Sequence, residues 1–513
     1  MPTIKIFAIF AHGKNKTIVV FVALLLLALF PSCGGDGGED TKPPENGGGN
    51  VPDEVETYEG ETEKRMSFDL LPAADYGGAK FVVANMEGYT WTDVTLEVEA
   101  ENTGEMLNDA IYKRNRLVEE KYNVALEVVG VPYGTMANKV RNQMRADDCL
   151  YDIMQMPMGF DVMPLTTENY IADAKKLEKL DLANPWWDAF AHESTSIAGR
   201  QFFLFGDFTI ADKEYATVIF LNRSMQQEYG LPNFYQMVYD GIWTIDKMLE
   251  SMKAVTKDLD GDGKWTKEDQ YGFVVNYHSA TMTFYGAGET MVKKDAGDIP
   301  YWTVNTESFI NAFMKMCEFM NTDNTTIDAF KVGSHQDTMF AEGKALFDST
   351  LLSVVRTPEG GTQSMRDVEQ WDFGILPPPK LDERQERYYS LMDGEYSPCV
   401  AIINHEPARL ERAAVILEAL NAKSSEEVQP KYKEYALPLK FIRDEESFDM
   451  VDIILKNRIF DLAGTYNWGT MNDKLKDHIS ENKTDRFVSF IEQNIDKAES
   501  ESKRDIELIM NLK

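Results

Sequence analysis

The period of the apolar positions changes along the chain, and those changes lay out the elements. Residues 80–84, Lys80-Phe81-Val82-Val83-Ala84, form a short apolar run of the kind a buried strand needs. Over residues 103–122 the apolar side chains recur at Met106, Leu107, Ala110, Ile111, Leu117 and Val118, a helical stripe with Lys, Arg and Glu on the other face. Val124, Leu126 and Val128 then alternate as in a strand. Residues 134–145 read as a second amphipathic helix and residues 151–156 as a third strand. Strand–helix–strand–helix–strand with short connections predicts an α/β fold with a mostly parallel sheet flanked by helices. Ligands of such sheets sit beyond the carboxyl ends of the strands. The first such end leads into the loop Asn85-Met86-Glu87-Gly88-Tyr89-Thr90-Trp91, which carries an aromatic.

Later segments repeat the alternation. Residues 218–222 and 373–376 read as strands, and residues 244–255, 306–320 and 407–421 as helices. Amphipathic helical pattern runs again from 485 to 512. Trp243 and Met248 stand at the two positions of a hydrophobic staple around an N-cap Thr244, which makes Trp243 a packing residue.

The N-terminus departs from this pattern. Lys5, Lys14 and Lys16 precede an unbroken apolar run of 13 residues, 18–30. A bilayer span needs about 20 such residues, so the run fits the h-region of a secretory signal. It ends in Leu29-Phe30-Pro31-Ser32-Cys33-Gly34, which resembles a bacterial lipobox: residues 1–32 would be a lipoprotein signal peptide and Cys33 the acylated new N-terminus. The plainer alternative is an ordinary secretory signal with an incidental Cys. Residues 34–60 then hold eight Gly, three Pro and eight acidic residues but no Phe, Trp, Leu or Ile. Such a composition cannot bury enough apolar surface to offset its ordering entropy, so 33–65 is expected to be a disordered tether.

Composition narrows the function. The 513 residues carry 52 Lys and Arg against 85 Asp and Glu, a formal charge of −33. That imbalance repels phosphate backbones and argues against a nucleic-acid partner. Four cysteines exclude a disulfide-built scaffold, and Cys149, Cys317 and Cys399 read as buried thiols. No HExxH, GxxxxGK[ST] or GxSxG pattern is present.

One local motif is sharp. Asp258-Leu259-Asp260-Gly261-Asp262-Gly263-Lys264-Trp265-Thr266-Lys267-Glu268-Asp269 follows the twelve-residue calcium loop. Asp258, Asp260 and Asp262 take its first three ligand positions and Gly261 its sharp turn. Lys264 offers a backbone carbonyl, Thr266 a direct or water-mediated ligand, and Asp269 the closing carboxylate. The expected cofactor is a structural Ca²⁺ that pins the loop beside a helix. The bland alternative is an acidic surface turn.

Among the tryptophans, Trp265, Trp302 and Trp371 read as core, and Trp186-Trp187 as core or rim. Trp91 and Trp468 lie in loops with Gly neighbours beside Asp or Asn, a setting that suits stacking on sugar faces.

From about residue 75 onward the chain resembles the family 1 extracellular solute-binding proteins, relatives of the maltose-binding protein and lipid-anchored receptors of ABC importers. The resemblance is carried by Thr103-Gly104-Glu105, Asp109-Ala110-Ile111-Tyr112, Arg114-Asn115-Arg116-Leu117-Val118-Glu119-Glu120-Lys121-Tyr122 and Tyr151-Asp152-Ile153-Met154. Asn184-Pro185-Trp186-Trp187, Ile219-Phe220-Leu221-Asn222-Arg223, Tyr239-Asp240-Gly241-Ile242-Trp243-Thr244, Asp269-Gln270-Tyr271-Gly272, Phe340-Ala341-Glu342-Gly343-Lys344-Ala345 and Gly374-Ile375-Leu376-Pro377 continue it in order. It implies a two-lobed clamp without catalysis, with lobe 1 from 75–210 plus 395–425 and lobe 2 from 211–394 plus 426–513. The crossings fall near 206–216 and 390–401. The implied partners are a small-molecule ligand, expected to be a carbohydrate, an ABC permease, and a membrane through the lipid anchor.

Inter-lobe ligands are touched by the loop after the first strand, the crossings and the facing loops. The expected contacts are therefore Trp91, Tyr285 and Trp468 for stacking, and Asp207 and Asp393 for hydrogen bonds to hydroxyls. Two other classes stay open from the sequence: a secreted glycan-active enzyme using paired carboxylates, and a calcium-stabilised structural lipoprotein.

Overall fold

A computed structural model describes residues 66–87, 106–132, 134–355, 372–434, 444–480 and 486–512. The signal and tether segments, Cys33, Trp91 and Trp371 lie outside the described residues.

The strands in chain order begin with β1 (Ala79–Glu87), β2 (Val124–Pro132) and β3 (Ile153–Pro157). Next come β4 (Thr217–Asn222), β5 (Tyr271–Val275), a hairpin of β6 (Val292–Lys294) and β7 (Pro300–Trp302), β8 (Thr326–Asp328), β9 (Ala345–Leu351) and β10 (Phe373–Leu376). The last are β11 (Ser390–Leu391), β12 (Pro398–Ile402) and β13 (Arg458–Ile459). They build two main sheets, ordered β12-β3-β1-β2 and β10-β4-β9-β5-β8, the frames of a first and a second lobe.

In the first sheet β2, β1 and β3 are parallel and β12 joins antiparallel, with Phe81 beside Leu126 and Val83 beside Ile153. Because side chains alternate across a strand, Phe81 and Val83 enter one core with Trp186, Leu417 and Leu420. Val82, Ala84 and Met86 enter the other with Met136 and Val140. Helix Met106–Tyr122 packs on helix Pro407–Lys431 over the first of these faces. The latter helix runs ten residues past the expected 421, straight through Pro430. Asp152, at the start of β3, accepts the Val82 N–H at 2.7 Å and the Arg409 guanidinium at 2.7 Å, tying sheet to helix.

The second sheet is mixed. β5 is parallel to β8 and β9, whereas β4 is antiparallel to β9 and β10. The staple is present: Trp243 is fully buried, its indole donates to the Pro377 carbonyl at 2.9 Å, and Thr244 caps helix Ile245–Val255. Cys149, Cys317 and Cys399 are free and buried. Among the described residues no helix is long and apolar enough to cross a membrane.

Candidate functional site: a cleft at the crossings

The sheets meet where chain passes from one to the other. On the first passage Gly206 is required by close approach, since a Cβ there would collide with the Asn421 side chain and the Trp186 carbonyl. After it, Ala216 bridges to Met392 of the second passage, and Thr217 Oγ1 donates to the Leu391 carbonyl at 3.0 Å.

Against these passages lie the carboxyl ends of β5 and β9. β5 is followed by Asn276, whose side chain accepts the His278 and Ser279 N–H groups at 2.8 Å each, while Ser279 Oγ accepts the Asn276 N–H at 2.9 Å. This reciprocal cap starts helix Tyr277–Phe284 at the cleft and sets His278 there. From the second passage, Asp393 accepts the N–H groups of Glu395 at 2.9 Å and Tyr396 at 3.1 Å. The Tyr396 ring lies 5.1 Å from Phe160, in the turn after β3, and 5.9 Å edge-on from His278. One aromatic therefore touches both lobes from the passage between them.

Two adjoining cavities of about 40 and about 20 Å³ lie here and share His278, Met282 and Asp393. Asn276, Thr350, Ser353 and Tyr396 line the first; Tyr285, Glu395, Asp461 and Lys476 line the second. Burial pushes the Asp393 carboxyl up, against the opposing pull of Lys476 and two backbone N–H groups. Burial likewise raises Glu395, whose carboxylate pairs with Lys476 Nζ at 3.0 Å. His278 is pushed down to about 4 by burial and by Lys476, so it is neutral at pH 7. Asp461 is pushed up to about 6 by burial although Met291 N, Ala463 N and Tyr285 Oη all donate to it. Carboxyls, a neutral imidazole, an ammonium, an amide, hydroxyls and aromatic edges thus converge on one narrow space.

Of the five expected ligand contacts, Asp393 and Tyr285 line this space. Tyr285 is buried and its hydroxyl donates to Asp461 Oδ2 at 3.1 Å. Asp207 and Trp468 are elsewhere. Asp207 is half-buried against helix Pro407–Lys431, where its carboxyl is raised by burial and opposed by Lys213 and the Ser425 hydroxyl; its carbonyl accepts Gln429 Nε2 at 3.2 Å. Trp468 is 1% exposed, stacks on Tyr466 at 4.9 Å and donates its indole N–H to Asp505 at 3.0 Å. Gly469 does not mark an open loop. It lets helix Phe487–Met510 approach, for a Cβ there would fall 2.8 Å from that of Ala498. Trp91 lies outside the described residues. Asn276, His278, Glu395, Tyr396 and Lys476 were not anticipated. A strand end followed by Asn-x-x-Ser was the one signal available, for Asn276 and His278; Lys476 had none.

In the acidic loop, carboxylate oxygens of Asp258, Asp260 and Asp262 lie within 4.8 Å of one another. Lys264 presents its N–H to Asp262 at 2.7 Å. Asp269 faces inward: it accepts the Leu259 N–H at 3.0 Å and the Thr266 N–H at 2.8 Å, and Thr266 Oγ1 at 3.2 Å. The three aspartates are thus gathered, while Asp269 and Thr266 close the loop on each other.

Two α/β lobes joined by crossing segments, with a polar and aromatic cleft at the strand ends, define a hinged binding protein. The chain belongs to the family of bacterial extracellular solute-binding proteins, which it matches over residues 101–389, more than half its length. The family is one of extracytoplasmic receptors, not enzymes, and the glycan-active alternative falls with that membership. Among solved structures, the cyclic alpha-maltosyl-1,6-maltose binding protein of Arthrobacter globiformis aligns at TM-score 0.53 and 13% identity, over 84% of this chain and 99% of that one. An ABC substrate-binding protein from Listeria monocytogenes, in complex with cycloalternan, aligns at 0.51 and 11%, over 85% and 100%. RafE from Streptococcus pneumoniae aligns at 0.51 and 12%, over 82% and 98%. At such identities the likeness is one of fold. Among curated proteins none matches.

Proposed function

We propose that this solute-binding protein captures a carbohydrate in the cleft between its lobes and hands it to an ABC importer. The observation that carries the reading is the cleft at the crossings: Asp393, Asn276 and neutral His278 offer hydroxyl partners, and the Tyr396 ring stands beside them. Polyols need many short hydrogen bonds and a flat apolar surface together. The reading draws support from the cycloalternan and cyclic maltosyl-maltose named for two like-folded proteins. The test is a thermal-shift screen over linear and cyclic oligosaccharides, followed by calorimetry. A sugar that raises Tm and binds without turnover is the expected result; a folded protein indifferent to the whole panel sinks the proposal.

Two finer features complete the proposal. Ca²⁺ sits on Asp258, Asp260 and Asp262 and stabilises the native state by RT ln(1 + [L]/Kd). Calcium should raise Tm, and Asp260→Ala should abolish that gain while sugar binding stays intact; no response to EDTA in calcium-loaded protein refutes the site. Diacylated Cys33 holds the protein on the membrane face, as two chains anchor stably where one does not. Cys33→Ser should release the protein from membranes.

A further inference from the structure

The lobes meet in a second place, away from the crossings. The hairpin of β6 and β7 belongs to the second lobe's sequence, between β5 and β8. Its tip, residues 295–298, is stiffened by Asp295, whose carboxylate accepts the N–H groups of Gly297 at 2.8 Å and Ile299 at 3.0 Å. Asp298 at the end of the tip has φ +62°, a left-handed turn conformation that Asp tolerates better than most residues.

This tip grips one turn of the first lobe, residues 196–200. The Asp298 carboxylate accepts Ser196 Oγ at 3.0 Å and the Gly199 N–H at 2.9 Å, and its carbonyl accepts the Ala198 N–H at 2.9 Å. Lys294 pairs with Asp298 and donates to Ser196 O at 3.2 Å and to the Glu193 carbonyl. Beside them Arg200 donates to the Met510 carbonyl at 3.1 Å and to that of Leu512 at 2.5 Å. Those carbonyls end helix Phe487–Met510, which is fixed to the second lobe by Phe487 stacked 4.1 Å from Phe313. A cation at a helix C-terminus also meets the negative end of the dipole. Two second-lobe elements therefore hold the same first-lobe turn.

The turn stands off the hinge. Leu204, four residues further on, bridges to Val400, and four residues of chain put the turn at most about 13 Å from that point. Rotation about the crossings displaces it, and hydrogen bonds fail when stretched by much more than half an ångström. Meanwhile the cleft cavities of about 40 and about 20 Å³ are far below the roughly 300 Å³ at which small-molecule sites begin. Among the described residues these two cavities have no room for a sugar as they stand, and parting the lobes to admit one breaks these contacts.

We propose that the Lys294–Asp298 hairpin tip is a polar latch that engages the turn at 196–200 when the lobes close, releases when they open, and so sets the closed population. The proposal rests on the reading of the protein as a hinged receptor and adds a regulator of its closure. Its bonds are partly exposed and charge-assisted, so they are directional and can exchange for water, whereas beside Leu204 the lobes meet through Phe203 on Tyr466 and Phe205 on Phe460.

The experiment compares wild type with Asp298→Ala, Asp298→Asn and Lys294→Ala, and with Lys293→Ala as a hairpin control outside the latch. Small-angle scattering of unliganded protein and calorimetry with whichever sugar raises Tm are the readouts, each on variants that retain cooperative unfolding. The latch variants should show a larger unliganded radius of gyration. Their sugar affinity should fall roughly 3- to 30-fold, because apparent affinity scales with the binding-competent fraction. Lys293→Ala should match wild type. Unchanged radius and affinity in folded Asp298→Ala and Lys294→Ala overturn the latch and leave the receptor reading standing. An enlarged radius with no response to any sugar upholds the latch and removes the carbohydrate instead.

Discussion

The two lobes have the same layered plan and hold it together by different chemistry. In the first, buried ions knot separate segments. Glu418 takes four donors: the indole N–H groups of Trp186 at 2.8 Å and Trp187 at 3.0 Å, Asn184 Nδ2 at 2.7 Å, and the Asp181 N–H at 3.1 Å. Asp161 collects the N–H groups of Gly134 and Met136 at 3.0 and 2.9 Å. Arg114, 1% exposed, donates to the Phe208 carbonyl at 3.0 Å and to Ser424 at 3.2 Å, and burial pushes it down to about 9. The second lobe has such a knot at Asp461, and elsewhere aromatic rings do this work. Phe234, Trp243 and Phe347 meet with centroids 5.2–5.5 Å apart, and Phe313 packs between Phe284 at 5.6 Å and Phe487 at 4.1 Å. Ionic knots demand a particular partner at each atom; ring nests demand volume. The first lobe should therefore be sensitive to chemistry at constant shape, and the second to shape at constant chemistry.

The largest effect is expected at the knot. Glu418→Ala strands two indoles, an amide and a backbone N–H in the interior and should cost about 3–5 kcal/mol, at about 1–3 kcal/mol for each group that finds no other partner. Glu418→Gln keeps the volume yet turns a donor toward donors, so it should still cost about 1–3 kcal/mol. Urea unfolding of both variants checks this; a near-neutral Gln variant would dissolve the contrast. In the second lobe Phe313→Ala should cost about 3–4 kcal/mol through the cavity it leaves, and Phe313→Leu less than half of that. A Leu variant as damaged as the Ala variant would mean that ring geometry, not volume, matters there.

The smallest effect is acid sensitivity. His192 Nε2 accepts the Phe205 N–H at 3.0 Å, and burial pushes the imidazole down to about 4. An unfolded His titrates near 6.5, so between these values the unfolded chain binds more protons than the native one. The stability held by neutral His192 is complete above about pH 6.5 and declines as pH falls; at pH 5 the loss is about 2 kcal/mol. His278 of the second lobe is pushed down alike, so hydrogen exchange should loosen strands of both lobes on acidification, and His192→Gln should flatten the slope in the first lobe alone. An unchanged first-lobe slope in folded His192→Gln would count against this assignment.

Parts of the family-like sequence pattern acquire their meaning from this comparison. Asn184-Pro185-Trp186-Trp187 is the donor half of the Glu418 knot and Tyr151-Asp152-Ile153 the strand-to-helix tie. Arg114 pins the first passage at Phe208. Their order along the chain was legible, but not their role, because each partner lies 94 to 257 residues away. Loop composition and proximity to a crossing point Trp468 and Asp207 toward the ligand. Each instead packs against a helix distant in sequence, one released to do so by Gly469.

Sequence alone carried the three parallel strands of the first sheet, β4 and β10, the alternating α/β plan, the family and the acidic loop. All of these are written in local periodicity, ordered motifs or spacing within a dozen residues, where the backbone's own geometry fixes which side chains share a face. Tertiary structure alone decided which polar groups face the cleft, which aromatic bridges it and where the lobes latch. Asn276, Tyr396 and Lys476 come from a strand end, a passage and a late helix, and nothing local distinguishes a carboxylate aimed at a ligand from one that takes a backbone N–H. Only the packing of distant segments settles the partner of each polar atom.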